Sequence, residues 1–146
     1  MNNKKGFTLI ELLAVIVILA IIALITTPIV LNLINQSKEA ANKRSVEAYA
    51  KAVEYGVTEY EYDHNGELPT ALSDITVDYS NSDVYCLVQI NGNGKGSVDV
   101  CGCQVGNYRN THYKYSSVGG KGAEKDTTNT SARSASTNST ACKTYN

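Results

Sequence analysis

The pattern of apolar and polar positions changes character along this chain. From Leu9 to Ile34 the residues form an almost unbroken apolar run, interrupted at Glu11, Thr26, Thr27, Pro28 and Asn32. Leu12 to Ile34 alone is 23 residues, about 35 Å as a helix and enough to cross a bilayer. From Asn35 the pattern becomes one-sided. Val46, Tyr49, Ala50, Val53, Val57 and Tyr60 recur at steps of three and four, while Glu39, Lys43, Glu47, Lys51 and Glu54 take much of the other face. These two stretches predict one continuous helix from about Phe7 to about Tyr62, apolar all round in its first half and with one buried side in its second. Gly56 is a soft spot of about 1 kcal/mol relative to alanine. Asp63-His64-Asn65-Gly66 reads as its stop, with Pro69 beyond it.

After a connecting loop over residues 66–83, with a short turn near Thr70 to Asp74, the period drops to two. Val84, Cys86, Val88 and Ile90 alternate with Tyr85, Leu87, Gln89 and Asn91. Asn91-Gly92-Asn93-Gly94-Lys95-Gly96 is a turn by composition. Ser97 to Val105 reads as the partner strand and Tyr108 to Ser116 as a third. The fold class is therefore α+β: a long N-terminal helix laid on a small antiparallel β-sheet, whose inner face the Val46–Tyr60 stripe can cover. Residues 119–140 hold almost nothing apolar and on composition alone form a flexible tail, but Cys142 near its end points to a tether.

Four cysteines, Cys86, Cys101, Cys103 and Cys142, suit a disulfide framework in an exported domain. A hairpin centred near Gly94 sets Cys86 opposite the 101–103 region. Cys101 and Cys103 are two apart on a strand, so they are expected on one face and are poor partners for each other. One of them would pair with Cys86 and the other with Cys142, the choice remaining open. A bridge to Cys142 closes a loop of about 40 residues and stabilises by a few kcal/mol. The competing use is a metal site of Cys101, Cys103 and a histidine, but two spaced ligand pairs are missing. The disulfide reading therefore expects no metal. His64 and His112 read as isolated surface groups.

The chemically odd residue is Glu11. A carboxylate inside a membrane-length apolar segment costs about 2.5–3.5 kcal/mol at the bilayer centre and less near the headgroups. It sits in Lys4-Lys5-Gly6-Phe7-Thr8-Leu9-Ile10-Glu11: a short basic leader, a Gly-Phe junction, the carboxylate, then the apolar run with Pro28 inside it. No small-residue cleavage site follows the run at Asn35 to Ser37, as an ordinary secretory signal would need. Lys4 and Lys5 favour a cytoplasmic N-terminus. Net charge is −1, so no pull toward nucleic acid is implied.

This constellation resembles the N-terminal signature of type IV pilins and prepilin-like proteins, specifically over residues 1–35, and the layout beyond is similar to theirs. The resemblance implies a type IVa-like prepilin, a major pilin of a Gram-positive bacterium. It implies a leader at 1–6, a membrane and filament-core helix at 7–34, and an exported domain at 35–146. A prepilin peptidase would cut between Gly6 and Phe7 and methylate the new Phe7 amine. Copies would then polymerise with the help of assembly machinery, with Glu11 meeting a neighbour's Phe7 ammonium. Before assembly the chain would be a single-pass membrane protein, and afterwards part of an extracellular filament. In assembled pili of this kind the helix often loses hydrogen bonds ahead of the proline, here between about Ala20 and Pro28. By itself, Pro28 deletes the bond to the Leu24 carbonyl and implies a kink.

No P-loop, G-x-S-x-G, H-E-x-x-H or dinucleotide-binding glycine set occurs. No enzyme activity and no cofactor are expected. Asp74, Asp78 and Asp83 lack the spacing of a calcium loop. Asn129-Thr130-Ser131 and Asn138-Ser139-Thr140 match a glycosylation pattern. Two rival functions remain: a pseudopilin of a type II secretion or DNA-uptake machine, and a membrane-anchored binding domain or enzyme that never polymerises.

Overall fold

The computed structural model describes residues 6–80, 83–90, 96–106, 111–128 and 142. The chain divides into two units, Met1–Glu39 and Ala40–Asn146. Helix α1 (Leu9–Asp63) begins in the first and ends in the second. The expected turn at 91–95, the start of the third strand before residue 111, and both glycosylation patterns lie outside the described residues.

In the first unit the apolar side chains of α1 are exposed throughout, from Leu9 to Ile34. Helix α1 is continuous through Pro28. The Thr26 hydroxyl donates to the Ile22 carbonyl at 3.0 Å, and the Thr27 hydroxyl to the Ala23 carbonyl at 2.6 Å. Side-chain hydroxyls thus add bonds to the turn where the proline removes one.

In the second unit α1 buries Val46, Tyr49, Ala50, Val53, Gly56 and Val57, which is the expected stripe without Tyr60 and with Gly56 added. Tyr60 is half-buried and stacks on His64, centroids 3.8 Å apart. The helix ends as its stop signal requires. Asn65 takes a left-handed φ of 55°, and the Gly66 N–H donates back to the Glu61 carbonyl at 2.8 Å, a closing bond that needs such a residue just after the helix. Leu72–Asp74 forms a single 3-10 turn. The Asp74 carboxylate accepts the N–H groups of Thr70 and Ala71 at 3.1 and 2.9 Å, so it is spent on the turn. These bonds hold its pKa below the ordinary carboxylate value.

Four strands form one antiparallel meander in chain order: β1 (Val84–Ile90), β2 (Val98–Val105), β3 (Tyr113–Ser116) and β4 (Glu124–Lys125). Val84, Cys86, Val88 and Ile90 of β1 face α1 in the core, joined by Val98, Val100, Cys103 and Val105 of β2. Three strands were legible in the sequence; the fourth was not. Ala123 and Asp126 are buried at either end of β4, in a stretch whose composition predicts a loose tail. Glu47, expected on the solvent side of α1, instead accepts the Ala123 N–H at 2.7 Å. This fastens the polar segment to the helix.

The cysteines pair in one of the two ways left open, but not from one shared face. Cys86 is bonded to Cys103, and Cys101 to Cys142. Strict alternation puts Cys101 and Cys103 on the same face, but β2 is not regular there. Tyr85 pairs with Gln104 and Leu87 with Cys101, so Cys86 stands opposite two residues, Gly102 and Cys103. That is a β-bulge. Gly102 absorbs it at φ 60°. Beyond the bulge the alternation restarts out of phase: Cys103 turns inward to Cys86 and Cys101 turns to the far face. There Cys142 lies 3.8 Å from the Leu87 carbonyl oxygen and 3.9 Å from that of Asp99. The bulged N–H of Gly102 donates to Asp126 Oδ2 at 2.9 Å, within the protein interior. Asp126 Oδ1 accepts from the Thr128 N–H and hydroxyl at 2.9 and 2.8 Å. One carboxylate thus satisfies the irregular strand and anchors the chain after β4.

Candidate functional site

The residues singled out for processing and assembly cluster at the start of α1. Gly6, Phe7 and Thr8 precede the helix without regular structure. Phe7 is 92% exposed, and nothing stands within 4 Å of where a Gly6 side chain would project. Both residues of the Gly6–Phe7 bond are therefore exposed among the described residues.

Glu11 does not point idly outward. Its Oε2 accepts the Thr8 N–H at 2.8 Å and the Thr8 hydroxyl at 2.7 Å, while the Glu11 N–H donates to Thr8 Oγ1 at 3.4 Å. This is a reciprocal capping box, and the T-x-x-E spacing of Thr8-Leu9-Ile10-Glu11 carries it. The spacing is visible in the sequence, yet the expectation drawn there gave Glu11 only a terminal amine as partner. The box has two physical consequences. It occupies donors at the N-terminus of the helix, where four N–H groups otherwise lack acceptors, and it sets a negative charge where the helix dipole favours one. It also uses a single carboxylate oxygen: among the described residues Oε1 accepts no hydrogen bond. The carboxylate can take one more cation without releasing its cap.

The other singled-out residues lie elsewhere. Pro28 sits inside the continuous helix. All four cysteines are in disulfides, which removes Cys101 and Cys103 as metal ligands. No cluster of three or more histidine, cysteine, aspartate or glutamate residues suited to a metal occurs among the described residues. His112, expected as a plain surface group, is half-buried and lies 2.8 Å from the Gln104 amide. Burial raises the pKa of Tyr49, helped by the neighbouring Tyr79. The two rings meet edge to face at 5.4 Å, the packing that aromatic pairs favour in a core.

Comparison with known proteins bears on the same segment. The model of a family described as the prokaryotic N-terminal methylation motif matches residues 1–27. The chain is 32% identical over 101 residues to the ComG operon protein 3 homolog of Bacillus licheniformis, an alignment covering 66% of this chain and 99% of that protein. It is 33% identical over 84 residues to the competence protein ComGC of Bacillus subtilis, covering 58% of this chain and 82% of that one. No solved structure matches.

Proposed function

Because this chain belongs to the family of type IV pilin-like proteins represented by the Bacillus ComG operon protein 3, we propose that it is cut between Gly6 and Phe7, methylated on the new Phe7 amine, and polymerised into a surface filament. Its role as a pilin-like subunit is structural, and we assign it no catalysis and no cofactor. The domain plan follows: a leader at 1–6, a membrane and filament-core helix at 7–34, and an exported domain at 35–146.

The observation that carries this reading is the pairing of a capped carboxylate with a bare apolar helix. Helix α1 includes a window long and apolar enough to cross a membrane, none of it buried. Such a surface must be covered by lipid or by other helices. Lipid covers it before assembly, with the N-terminus cytoplasmic; neighbouring copies cover it afterwards. Cleavage creates an ammonium on Phe7, and Glu11 Oε1 is positioned to receive that of an adjacent copy. Pairing offsets the cost of carrying the carboxylate into an apolar bundle and so fixes the axial register. Loosening of the helix between Ala20 and Pro28 belongs to the assembled state in this reading. The remaining partners are the prepilin peptidase and the assembly machinery.

Glu11→Val tests it. Membrane insertion and cleavage should persist, because the span becomes more apolar, while sheared filaments are lost. Normal filaments from this variant would refute the role of Glu11. Mass mapping of the mature N-terminus gives the second check: an uncut Met1 would refute processing. A second reading is favoured by the Bacillus subtilis relative, which is a competence protein: a short fibre of a DNA-uptake machine in place of a long pilus. Electron microscopy of cells making the chain separates the two by filament length.

A further inference from the structure

A groove of about 520 Å³ lies between α1 and the extended segment that follows the 3-10 turn. Ala48, Ala52 and Gly56 give it an apolar lining of small residues, and Tyr55, 77% exposed, stands beside it. Lys51, Glu59 and Asp78 supply its charges, two negative against one positive. Among the described residues no ion pair engages Glu59 or Asp78. Elsewhere on the same unit, the loop between β3 and β4 presents the opposite character. Val118 is 52% exposed, Gly119 and Gly120 follow with φ of 102° and 64°, and Lys121 is exposed after them. The far end of that loop is fastened to α1 by the Ala123 N–H on Glu47. Glu47 and Ala52 lie about 140° apart around the helix at 100° per residue. The loop's anchor is therefore turned away from the Ala52 side of the groove, and none of the loop residues 117–121 lines it.

We propose that the Val118–Lys121 loop of one copy seats in this groove of the next, with Val118 against Ala48 and Ala52 and Lys121 toward Glu59 and Asp78. The occupant is a second copy because the loop offers what the groove lacks: a small apolar tip and a positive charge on a backbone narrow enough, through two consecutive glycines, to enter. The contact joins two different surfaces. A heterologous contact of this kind does not close as a two-fold dimer, and where its rotation does not close a ring it propagates as an open helical polymer. One loop buries too little to hold a polymer alone, so it supplements helix packing and sets how neighbouring domains are rotated. The inference rests on the filament reading above.

The test uses the full chain in cells that assemble it. Lys121→Glu should lower the yield of sheared filaments at least about fivefold, since like charges across an interface are disfavoured at every repeat. Adding Asp78→Lys to the same chain should restore the yield to within about twofold by re-pairing the charges. Both positions are exposed, and non-reducing mass measurement of the disulfides verifies folding. In parallel, a benzoyl-phenylalanine photo-crosslinker at Tyr55 should join a second copy within residues 117–121. Normal yield from Lys121→Glu, failure of the double variant to recover, or crosslinks that map elsewhere or to another protein would each overturn this contact while leaving the filament reading intact. If the unaltered chain forms no filaments, the filament reading fails, and this contact with it.

Discussion

The bulge at Gly102 decides which cysteine meets which, and Gly102→Val puts that to the test. The residue sits at φ 60°. Left-handed backbone costs an ordinary L-residue about 1–2 kcal/mol, and a β-branched side chain more. A strand that escapes the strain by flattening must give up the bond from Gly102 N–H to Asp126 Oδ2, worth about 1.5–3 kcal/mol because the acceptor is charged. Either route therefore costs about 1.5–3 kcal/mol, a sizeable part of the roughly 5–15 kcal/mol that holds a domain together. Flattening also restores alternation, which returns Cys101 and Cys103 to one face. Only one of them can then reach Cys86, and the other turns away from Cys142. The variant should show a lowered urea midpoint by circular dichroism and, on non-reducing peptide mapping, pairs other than Cys86–Cys103 and Cys101–Cys142 in part of the population. Wild-type pairing together with an unchanged midpoint would refute the idea that Gly102 directs the connectivity.

Two further outcomes follow from the same unit. Asp126→Ala strips the acceptor from Gly102 and Thr128 and should cost about 2–4 kcal/mol in urea unfolding, whereas Asp126→Asn, which keeps an acceptor oxygen, should cost about half as much; equal losses would show that charge, not hydrogen bonding, is what matters. Burial pushes the Glu54 carboxyl above its ordinary pKa, against a smaller opposing pull from Lys51, and its Oε1 is buried without a hydrogen bond among the described residues. A folded-state pKa raised above the unfolded one favours folding while the group is protonated, below about pH 4.5, and that advantage is lost as pH rises through the folded value. Glu54→Gln should therefore melt above the wild type at pH 7 and converge with it toward pH 4; a constant difference across that range would contradict the assignment.

Some of this protein could be read without its coordinates, for reasons that are local. The helix, its apolar half, its buried stripe and its stop depend on periodicity and on φ preferences within a few residues, and Val46 to Val57 and Asn65-Gly66 behave as those preferences require. Strand β1 announced itself by alternation, and β2 as its partner across a glycine-rich turn. The Thr8–Glu11 box was equally local and could have been read from its spacing. Other features depend on what lies far away in the chain. A Ser, Thr, Gly and Lys-rich segment gains a strand only because β3 offers it an edge and Glu47, 76 residues distant, accepts its Ala123 N–H. The disulfide pairing turns on one extra residue in β2, because a pleat of period two inverts every side chain past a single insertion. Periodicity specifies faces only while a strand stays regular. Where it breaks, the cross-strand register and the buried Asp126 decide which face each cysteine takes.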